Sequence, residues 1–220
     1  MVSPLSPRLV ELAFALPDED LWTAIYAAGR PVQYAYLADD LALWSVQTVF
    51  ASRPWAAEMP SAGRPFTWSI LLELRRRGVA IASLTHAAGL SSTGDPALDA
   101  ALPLPERYDL PAATVDAISR TRSAGGRVIA VGTTVVRALE GCFALHGRLV
   151  AGTGETDLVL GPGQPLHVVD GIVTGMHEPT ESHYRLLTTF VDEPVLRGAV
   201  EHAMQTGYRG HELGDATLVV

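Results

Sequence analysis

The sequence has 220 residues, of which 48% are hydrophobic and 18% charged, and its net charge at pH 7 is −8. This balance favours a packed globular core over disorder, and the excess of acidic residues argues against extensive contact with nucleic acid, whose phosphates attract clustered basic residues. With Cys142 as the only cysteine and no apolar run near the roughly 20 residues of a membrane span, the sequence excludes a disulfide scaffold, a thiolate metal cluster and a membrane helix.

Helical and extended patterns alternate along the chain. Thr67, for example, can cap an amphipathic helix that ends at Gly78, and residues 91–105 are rich in the Gly, Pro, Asp and Ser of surface loops. The alternation predicts an α/β fold, a layered sheet with helices on both faces, as a single domain over 1–220 whose first 17 residues are a leading segment. In chain order we predict a helix over 18–29, a helix over 67–77, a strand over 79–84, a helix over 112–122, a strand over 127–131, a helix over 135–145, strands over 158–160 and 167–174, helices over 180–191 and 194–205, and a strand over 216–220.

The segment Gly132-Thr133-Thr134 turns a short buried strand into a helix. The first N–H groups of a helix have no partner within it, so such a turn can hold an anion, either a carboxylate or a phosphate. Arg137, one turn further along, can clamp the same anion. The alternative is an ordinary capped turn in which Thr134 only starts the helix.

Five motifs follow one another between residue 58 and the end of the chain. In this order they resemble the S-adenosylmethionine:tRNA ribosyltransferase-isomerase family of queuosine biosynthesis, and the resemblance extends from about Gly29 to the last residue. A single motif would be weak, whereas five in the family's order are specific. The motifs are EMPSAGRPFT (58–67), GRVIAVGTTVVRALE (126–140), GETDL (154–158) leading to PG (162–163), VDGIVTGMHEP (169–179), and YR (208–209) with GDA (214–216).

The resemblance implies an unusual use of S-adenosylmethionine. Enzymes of this family use its ribosyl group and not its methyl group. They attach a rearranged ribosyl to the aminomethyl group of a deazaguanine in the tRNA anticodon, and they release adenine and methionine. Their fold is an α/β large domain with a small β-barrel domain inserted in its N-terminal part. This sequence begins where that barrel should end, so we expect the barrel to be absent.

Three functions stay open at this point. The leading one is the family's reaction with tRNA as the acceptor, and the acidity and the expected loss of the barrel make a small-molecule acceptor the alternative. The third is a non-catalytic S-adenosylmethionine-binding subunit. We expect no membrane partner and leave a homo-oligomer open. Because the start of the chain has no signal-peptide pattern, we expect a cytoplasmic protein.

The matched motifs supply two sets of candidate site residues. Ribosyl transfer from a sulfonium needs a base for the carbon beside sulfur and a group that helps adenine leave. The candidates for this catalytic work are His177, Asp170, Asp215 and Glu140. For binding S-adenosylmethionine, the resemblance implies Gly132, Thr133, Thr134, Arg137, Asp157, Ser61 and Gly63.

Each charged candidate also has a structural interpretation. Asp157 and Asp170 stand at strand edges beside Thr or Gly, where aspartate commonly caps turns. Glu140 could lie on a solvated helix face or pair with Arg137 three residues before it. A lone histidine such as His177 is more often structural than catalytic.

Histidines mark where the sequence departs from the family. Pro65 stands where a histidine is usual, and the histidine of the family's Thr-Leu-His-Val-Gly-Leu stretch falls on Ala87, with His86 one place early. His177 does match, and it follows a predicted strand, where α/β sheets place their sites. His183 lies six residues after His177, a spacing that fits no metal-binding motif, so we expect no metal.

Overall fold

The computed structural model describes residues 2–4, 10–34, 36–56, 58–89, 95, 97, 100, 102–179, 181–210 and 213–220. The chain forms two compact units, one from 1–47 with 90–102 and the other from 48–89 with 103–220. The assignment of 1–220 to one domain stays a prediction. No helix among the described residues has the length and apolar character to cross a bilayer. Much of the predicted loop over 91–105 lies outside the described residues.

The described residues of the smaller unit form a pair of short strands, one α-helix and a 3-10 turn at Leu43–Val46. β1 (Val2–Pro4) pairs antiparallel with β2 (Val10–Leu12). Helix α1 (Asp18–Ala28) begins with three acidic residues, which complement the positive end of the helix dipole. The helix predicted over 18–29 is therefore confirmed.

The larger unit alternates helices with strands, which confirms the predicted α/β class. Its helices are α2 (Trp68–Arg76), α3 (Ala112–Ser123), α4 (Thr133–His146), α5 (Ser182–Leu187) and α6 (Glu193–Gln205), and Ser61–Gly63 forms a short 3-10 turn. Its strands are β3 (Thr85–His86), β4 (Glu106–Leu110), β5 (Ile129–Val131), β6 (Gly152–Thr156), β7 (Gly171–Gly175) and β8 (Ala216–Val219).

The strands of the larger unit form two three-stranded sheets. In one sheet, β4 lies between β3 and β6 and pairs antiparallel with both. In the other, β7 lies in the centre, parallel to β5 and antiparallel to β8. The register of the parallel pair sets Ile129 beside Gly171 and Val131 beside Val173. Both parallel strands therefore end at the same edge of their sheet.

Helix α4 lies against both sheets and contributes much of the core. It contacts β3 and β6 of one sheet and β5 and β7 of the other. Residues 136–142 are all buried, more than the single apolar stripe of a surface helix. Val136 and Cys142 are completely buried, as is Ile172 of β7. Burying one large aliphatic side chain contributes roughly 1.5–3 kcal/mol, so this helix is central to the stability of the larger unit.

The strand predicted over 79–84 is wrong. Val79 and Ile81 are 47% and 40% exposed, and these residues pair with no other strand. Only the next two residues, Thr85 and His86, pair with β4. The apolar character of the segment indicated a strand, but apolar character alone does not supply a partner.

The strand predicted over 158–160 is also wrong, and the strand at this place is β6, a few residues earlier. The Gly-Thr-Gly-Glu-Thr sequence of β6 lacks the alternation of apolar side chains that marks a strand. Gly154 is needed in it, because a Cβ there would lie 2.4 Å from the hydroxyl oxygen of Tyr108 on β4. The strand predicted over 167–174 begins only at Gly171.

Gly141 of α4 lies in the contact between this helix and β6. A Cβ on Gly141 would lie 2.0 Å from Oγ1 and 2.7 Å from Cβ of Thr156. We expect Gly141→Ala to lower the free energy of unfolding by about 1–3 kcal/mol through overpacking, although alanine favours the helical state by about 1 kcal/mol.

The control for Gly141→Ala is Gly198→Ala on α6, where a Cβ would meet nothing within 4 Å. This control should raise the free energy of unfolding by roughly 0.5–1 kcal/mol, because only the backbone entropy changes. Urea unfolding measures both variants. A stabilising effect of both alanines would show that α4 does not need a glycine at position 141.

Candidate active site

The carboxyl ends of β5 and β7 meet at one edge of their sheet, and the chain leaves β5 there through Gly132. The N–H of Gly132 donates to the carbonyl of Val173 at 2.8 Å, which extends the parallel pairing by one residue. Gly132 has a φ of 98° and a ψ of 146°, a conformation that is essentially restricted to glycine. This residue therefore turns the chain directly from the strand into helix α4.

The first turn of α4 lies at this edge, and a second motif packs beside it. No side chain caps the helix, so its first N–H groups have no partner within the helix and carry its positive end. The 3-10 turn at Ser61–Gly63 contacts β7, and a Cβ on Gly132 would lie 3.7 Å from the Cβ of Ala62. Five of the residues predicted to bind S-adenosylmethionine thus share one place, namely Ser61, Gly63, Gly132, Thr133 and Thr134.

His177 follows β7 at the same edge, and both of its ring nitrogens have partners. Nε2 lies 2.9 Å from Oγ1 of Thr174, and Nδ1 lies 3.2 Å from Oε2 of Glu181. The same Oε2 accepts the backbone N–H of Glu178 at 3.2 Å. Burial acts to raise the pKa of Glu181, but the hydrogen bonds from His177 and Glu178 and the charge of His177 outweigh it, so the pKa lies below its usual value.

His183, on the first turn of α5, packs against His177. The two ring centroids are 4.8 Å apart and the planes are tilted by 48°. Burial, together with the charges of His177 and Arg137, lowers the pKa of His183 to about 4, so this ring is neutral at pH 7. One ligand atom each of His177, Glu181 and His183 lies within 4.8 Å of the others. Among the described residues this is the one group of side chains that could hold a metal ion, and the linear spacing did not indicate it.

Arg137 lies one turn into α4, and its guanidinium is committed to partners inside the protein. The side chain is only 6% exposed. Nε donates to the carbonyl of Leu158 at 2.9 Å, Nη2 to the carbonyl of Leu104 at 3.2 Å, and Nη1 to the carboxylate of Glu106. Burial lowers the pKa of Arg137, and the charges of Glu106 and Asp157 oppose this effect. Its nitrogens therefore do not form the free clamp that the sequence suggested.

His86 is buried beside the Arg137–Glu106 ion pair. Its Nε2 lies 3.3 Å from Oε2 of Glu106, yet neither ring nitrogen makes a hydrogen bond within the protein. Burial, and after it the charge of Arg137, lowers the pKa of His86 to about 4. The ring is thus neutral at pH 7, and its contact with Glu106 is a packing contact and not an ion pair.

Two predicted catalytic aspartates lie at opposite ends of β7. Asp215 directly precedes β8, whose first residue pairs with Gly175, so it lies at the edge that carries His177. Its Oδ2 accepts the N–H of Arg209 at 2.8 Å. Asp170 precedes β7, roughly 17 Å away along five strand residues, and its Oδ2 accepts the N–H of Val128 at 2.7 Å. The structure therefore does not bring Asp170 and His177 together.

The two other acidic candidates differ in burial. Asp157 is exposed and acts on Arg137 through its charge. Glu140 is 3% exposed, and its carboxylate accepts the backbone N–H groups of residues 167, 168 and 169, each at 2.9 Å. These bonds differ from the two structural arrangements that the sequence suggested for Glu140, a solvated helix face and an ion pair with Arg137. They also explain why β7 begins late, since these N–H groups bond to a side chain instead of a strand.

Sequence reasoning missed three residues of this region and set a fourth aside. Thr174 and Glu181 contact His177, and their positions three residues before it and four after it are the only local signal. Glu106 contacts Arg137 from 31 positions away, and no sequence pattern indicates that pairing. His183 was noted but set aside because its spacing matches no motif.

Known proteins resemble the chain over most of its length. The family described as "Queuosine biosynthesis protein" matches residues 5–219. A relative from Acaryochloris marina, named S-adenosylmethionine:tRNA ribosyltransferase-isomerase, is 42% identical over 79% of this chain and 48% of the relative. One of the same name from Thiobacillus denitrificans is 39% identical over 96% of this chain and 62% of the relative.

A solved structure is similar as well. It is the crystal structure of S-adenosylmethionine tRNA ribosyltransferase from Thermotoga maritima, with a TM-score of 0.61 and 31% identity, over 72% of this chain and 51% of that one. The chain spans about half the length of the curated relatives it matches.

The low pKa of His86 predicts a loss of stability in mild acid. Between the ordinary value of 6.5 and the folded value of about 4, the unfolded chain binds a proton that the folded chain does not. Lowering the pH through this range therefore removes roughly 3 kcal/mol of stability through this residue, and His86→Gln should remove that part of the pH dependence. Urea unfolding at pH 7, 5.5 and 4.5 measures it. His202→Gln on the exposed face of α6 is the control, and identical pH slopes for both variants would contradict the assignment.

Proposed function

The chain belongs to the queuosine biosynthesis protein family, and on that premise we propose that it is an S-adenosylmethionine-dependent transferase-isomerase. In this proposal it uses the ribosyl part of S-adenosylmethionine and releases adenine and methionine. The observation that carries the proposal is the meeting of family motifs at one sheet edge. Three separate motifs supply the parts of this edge, namely the turn at Ser61–Gly63, the start of α4 and the segment that carries His177.

The start of α4 is the proposed place for the methionine end of S-adenosylmethionine. Its uncapped N–H groups and the positive end of the helix dipole suit a carboxylate. Thr133 and Thr134 add hydroxyl groups to the same turn. Arg137 supports this placement indirectly, because it is a positive charge one turn below the helix end, although its nitrogens donate to protein groups.

His177 is the proposed acid–base or orienting group at the reacting ribose. The reaction requires that a proton leave the carbon beside the sulfonium sulfur, and imidazole is the side chain that most often performs such transfers near neutral pH. His177 stands at the carboxyl edge of the sheet with Asp215 at the same edge. Asp170 is more consistent with a structural role because it lies at the opposite end of β7, and Glu140 because its buried carboxylate accepts three backbone N–H groups.

A tRNA is the proposed acceptor, as the names of the relatives suggest, and a small molecule is the alternative that the net charge of −8 favours. One basic and aromatic cluster supports contact with RNA. The guanidinium carbons of Arg53 and Arg107 lie 5.2 and 4.3 Å from the ring centroid of Trp55. Arginine and tryptophan are residues that contact phosphates and unstacked bases. Action on tRNA would also place the protein in the cytoplasm.

Incubation with S-adenosylmethionine tests the reaction, with chromatography of adenine and methionine as the measurement. His177→Asn should keep the fold and much of the donor affinity while adenine release falls by roughly two to four orders of magnitude. His202→Asn, on exposed α6, should leave the rate unchanged. Binding without adenine release by the wild-type chain would favour a non-catalytic binding subunit. Normal release by a stably folded His177→Asn variant would show that this histidine is structural.

Binding to an unmodified tRNA tests the acceptor. The acidic chain should bind with a dissociation constant weaker than about 1 μM at physiological salt, because few phosphate contacts are available. Arg107→Ala should weaken binding further and reduce the salt slope by about 1, whereas Arg148→Ala, an exposed arginine after α4, should have no effect. If neither Arg107→Ala nor Arg148→Ala alters tRNA binding, the result would argue for a small-molecule acceptor.

A further inference from the structure

Three side chains form a hydrogen-bonded row across the end of β7. Thr174 lies on the strand and is 2% exposed, His177 follows it, and Glu181 directly precedes α5. The imidazole of His177 lies between the other two, 2.9 Å from the threonine oxygen and 3.2 Å from the glutamate oxygen. The side chain of His177 is 17% exposed and that of Glu181 is 40% exposed, so the row runs from the core towards the surface.

We propose that Glu181 is a positioning residue for the proposed reaction, holding the N–H of Nδ1 of His177 so that Nε2 is the nitrogen that accepts protons. The catalytic role in this inference rests on the proposed function, whereas the hydrogen bonds from which it is argued do not depend on that function. An ionised carboxylate accepts hydrogen bonds and cannot donate one. A lone pair on Nδ1 facing that carboxylate would be repelled, so the proton of a neutral His177 must lie on Nδ1.

One further contact and the lowered pKa of Glu181 support the assignment. The backbone N–H of Glu178 donates to the same oxygen of Glu181 at 3.2 Å, which fixes the carboxylate in front of the ring. The hydrogen bonds and the charge of His177 keep the pKa of Glu181 below its usual value, so the carboxylate is ionised at pH 7.

The protonation state of Nε2, on the other side of the His177 ring, is then defined as well. With its proton on Nδ1, the imidazole accepts the hydroxyl hydrogen of Thr174 at Nε2. A substrate group that gives its proton to His177 must take the place of that hydroxyl. The arrangement is the one by which an acidic residue orients a catalytic histidine and stabilises its charged form.

A metal ion is the competing explanation for the same cluster, because His177, Glu181 and His183 offer ligand atoms within 4.8 Å of one another. Hydrogen bonds already satisfy both nitrogens of His177 and one oxygen of Glu181 without an ion. A metal bound through Nδ1 of His177 would replace the bond between Nδ1 and Glu181, so that explanation predicts a different state for this nitrogen.

Nitrogen NMR of the histidine rings in the whole chain distinguishes these states without any need for activity. In wild type at pH 7.5, His177 should show the Nδ1–H tautomer. Glu181→Ala should give a mixture of tautomers, and Glu181→Gln, which keeps an acceptor oxygen at the same length, should restore the Nδ1–H form. Glu178→Ala removes a neighbouring exposed carboxylate and is the control that should change nothing.

Adenine release from the same variants supplies the functional readout. Glu181→Ala should lower turnover by about one to three orders of magnitude, and Glu181→Gln should lower it less. A Glu181→Ala variant that keeps a pure Nδ1–H tautomer of His177 would overturn the inference. Addition of one equivalent of Zn²⁺ to the wild-type chain is the second test, and a shift of the ring-nitrogen signals of both His177 and His183 would also overturn it. If the wild-type chain releases no adenine while the tautomers respond as expected, the proposed function fails and the positioning of His177 by Glu181 stands.

Discussion

Arg137 is a positive charge held inside the larger unit, and the partners it requires tie several segments together. An ion removed from water must be paired and hydrogen-bonded, and loss of one partner of such a pair costs about 3–5 kcal/mol. From helix α4, Arg137 reaches β4 through Glu106 and the segments around residues 104 and 158 through their carbonyls. Its charge also contributes to keeping His86 and His183 neutral. One buried guanidinium thus supports the packing around α4 and adds to the burial that keeps two nearby histidines neutral.

The sequence was sufficient for features that depend on neighbours along the chain. The capped helix after Thr67 and the strand–turn–helix at Gly132 follow from capping, the helical period and glycine, and the structure contains both. Features that depend on distant partners were not predictable. β6 has no apolar pattern, and its Gly154 makes room for Tyr108. The partner of Arg137 lies 31 positions away. Glu140 illustrates the same limit, since its charge suggested a solvent-exposed or catalytic residue and its bonds are to buried backbone.

The candidate site contains two groups of different character. At the edge of β5 and β7, an uncapped helix start and a hydrogen-bonded histidine offer polar groups to a ligand. One turn below, Arg137, Glu106 and His86 form a buried cluster in which Arg137 pairs with Glu106 and donates to two backbone carbonyls. The larger unit thus has polar groups at a sheet edge and, separately, a buried ion pair beside them. The chain spans about half the length of its curated relatives.

Glu140 has a consequence for the dynamics of the larger unit. Its carboxylate accepts the backbone N–H groups of residues 167–169, as the carbonyls of a neighbouring strand would. These residues have no strand partner of their own before β7 begins. Amide hydrogens in an irregular segment normally exchange with solvent through local opening. Here, opening the segment would strip a buried carboxylate of its donors, which is costly in a medium of low polarity. The amides of this segment should therefore exchange almost as slowly as those of helix α4, so that a stretch without regular secondary structure belongs to the most persistent part of the fold.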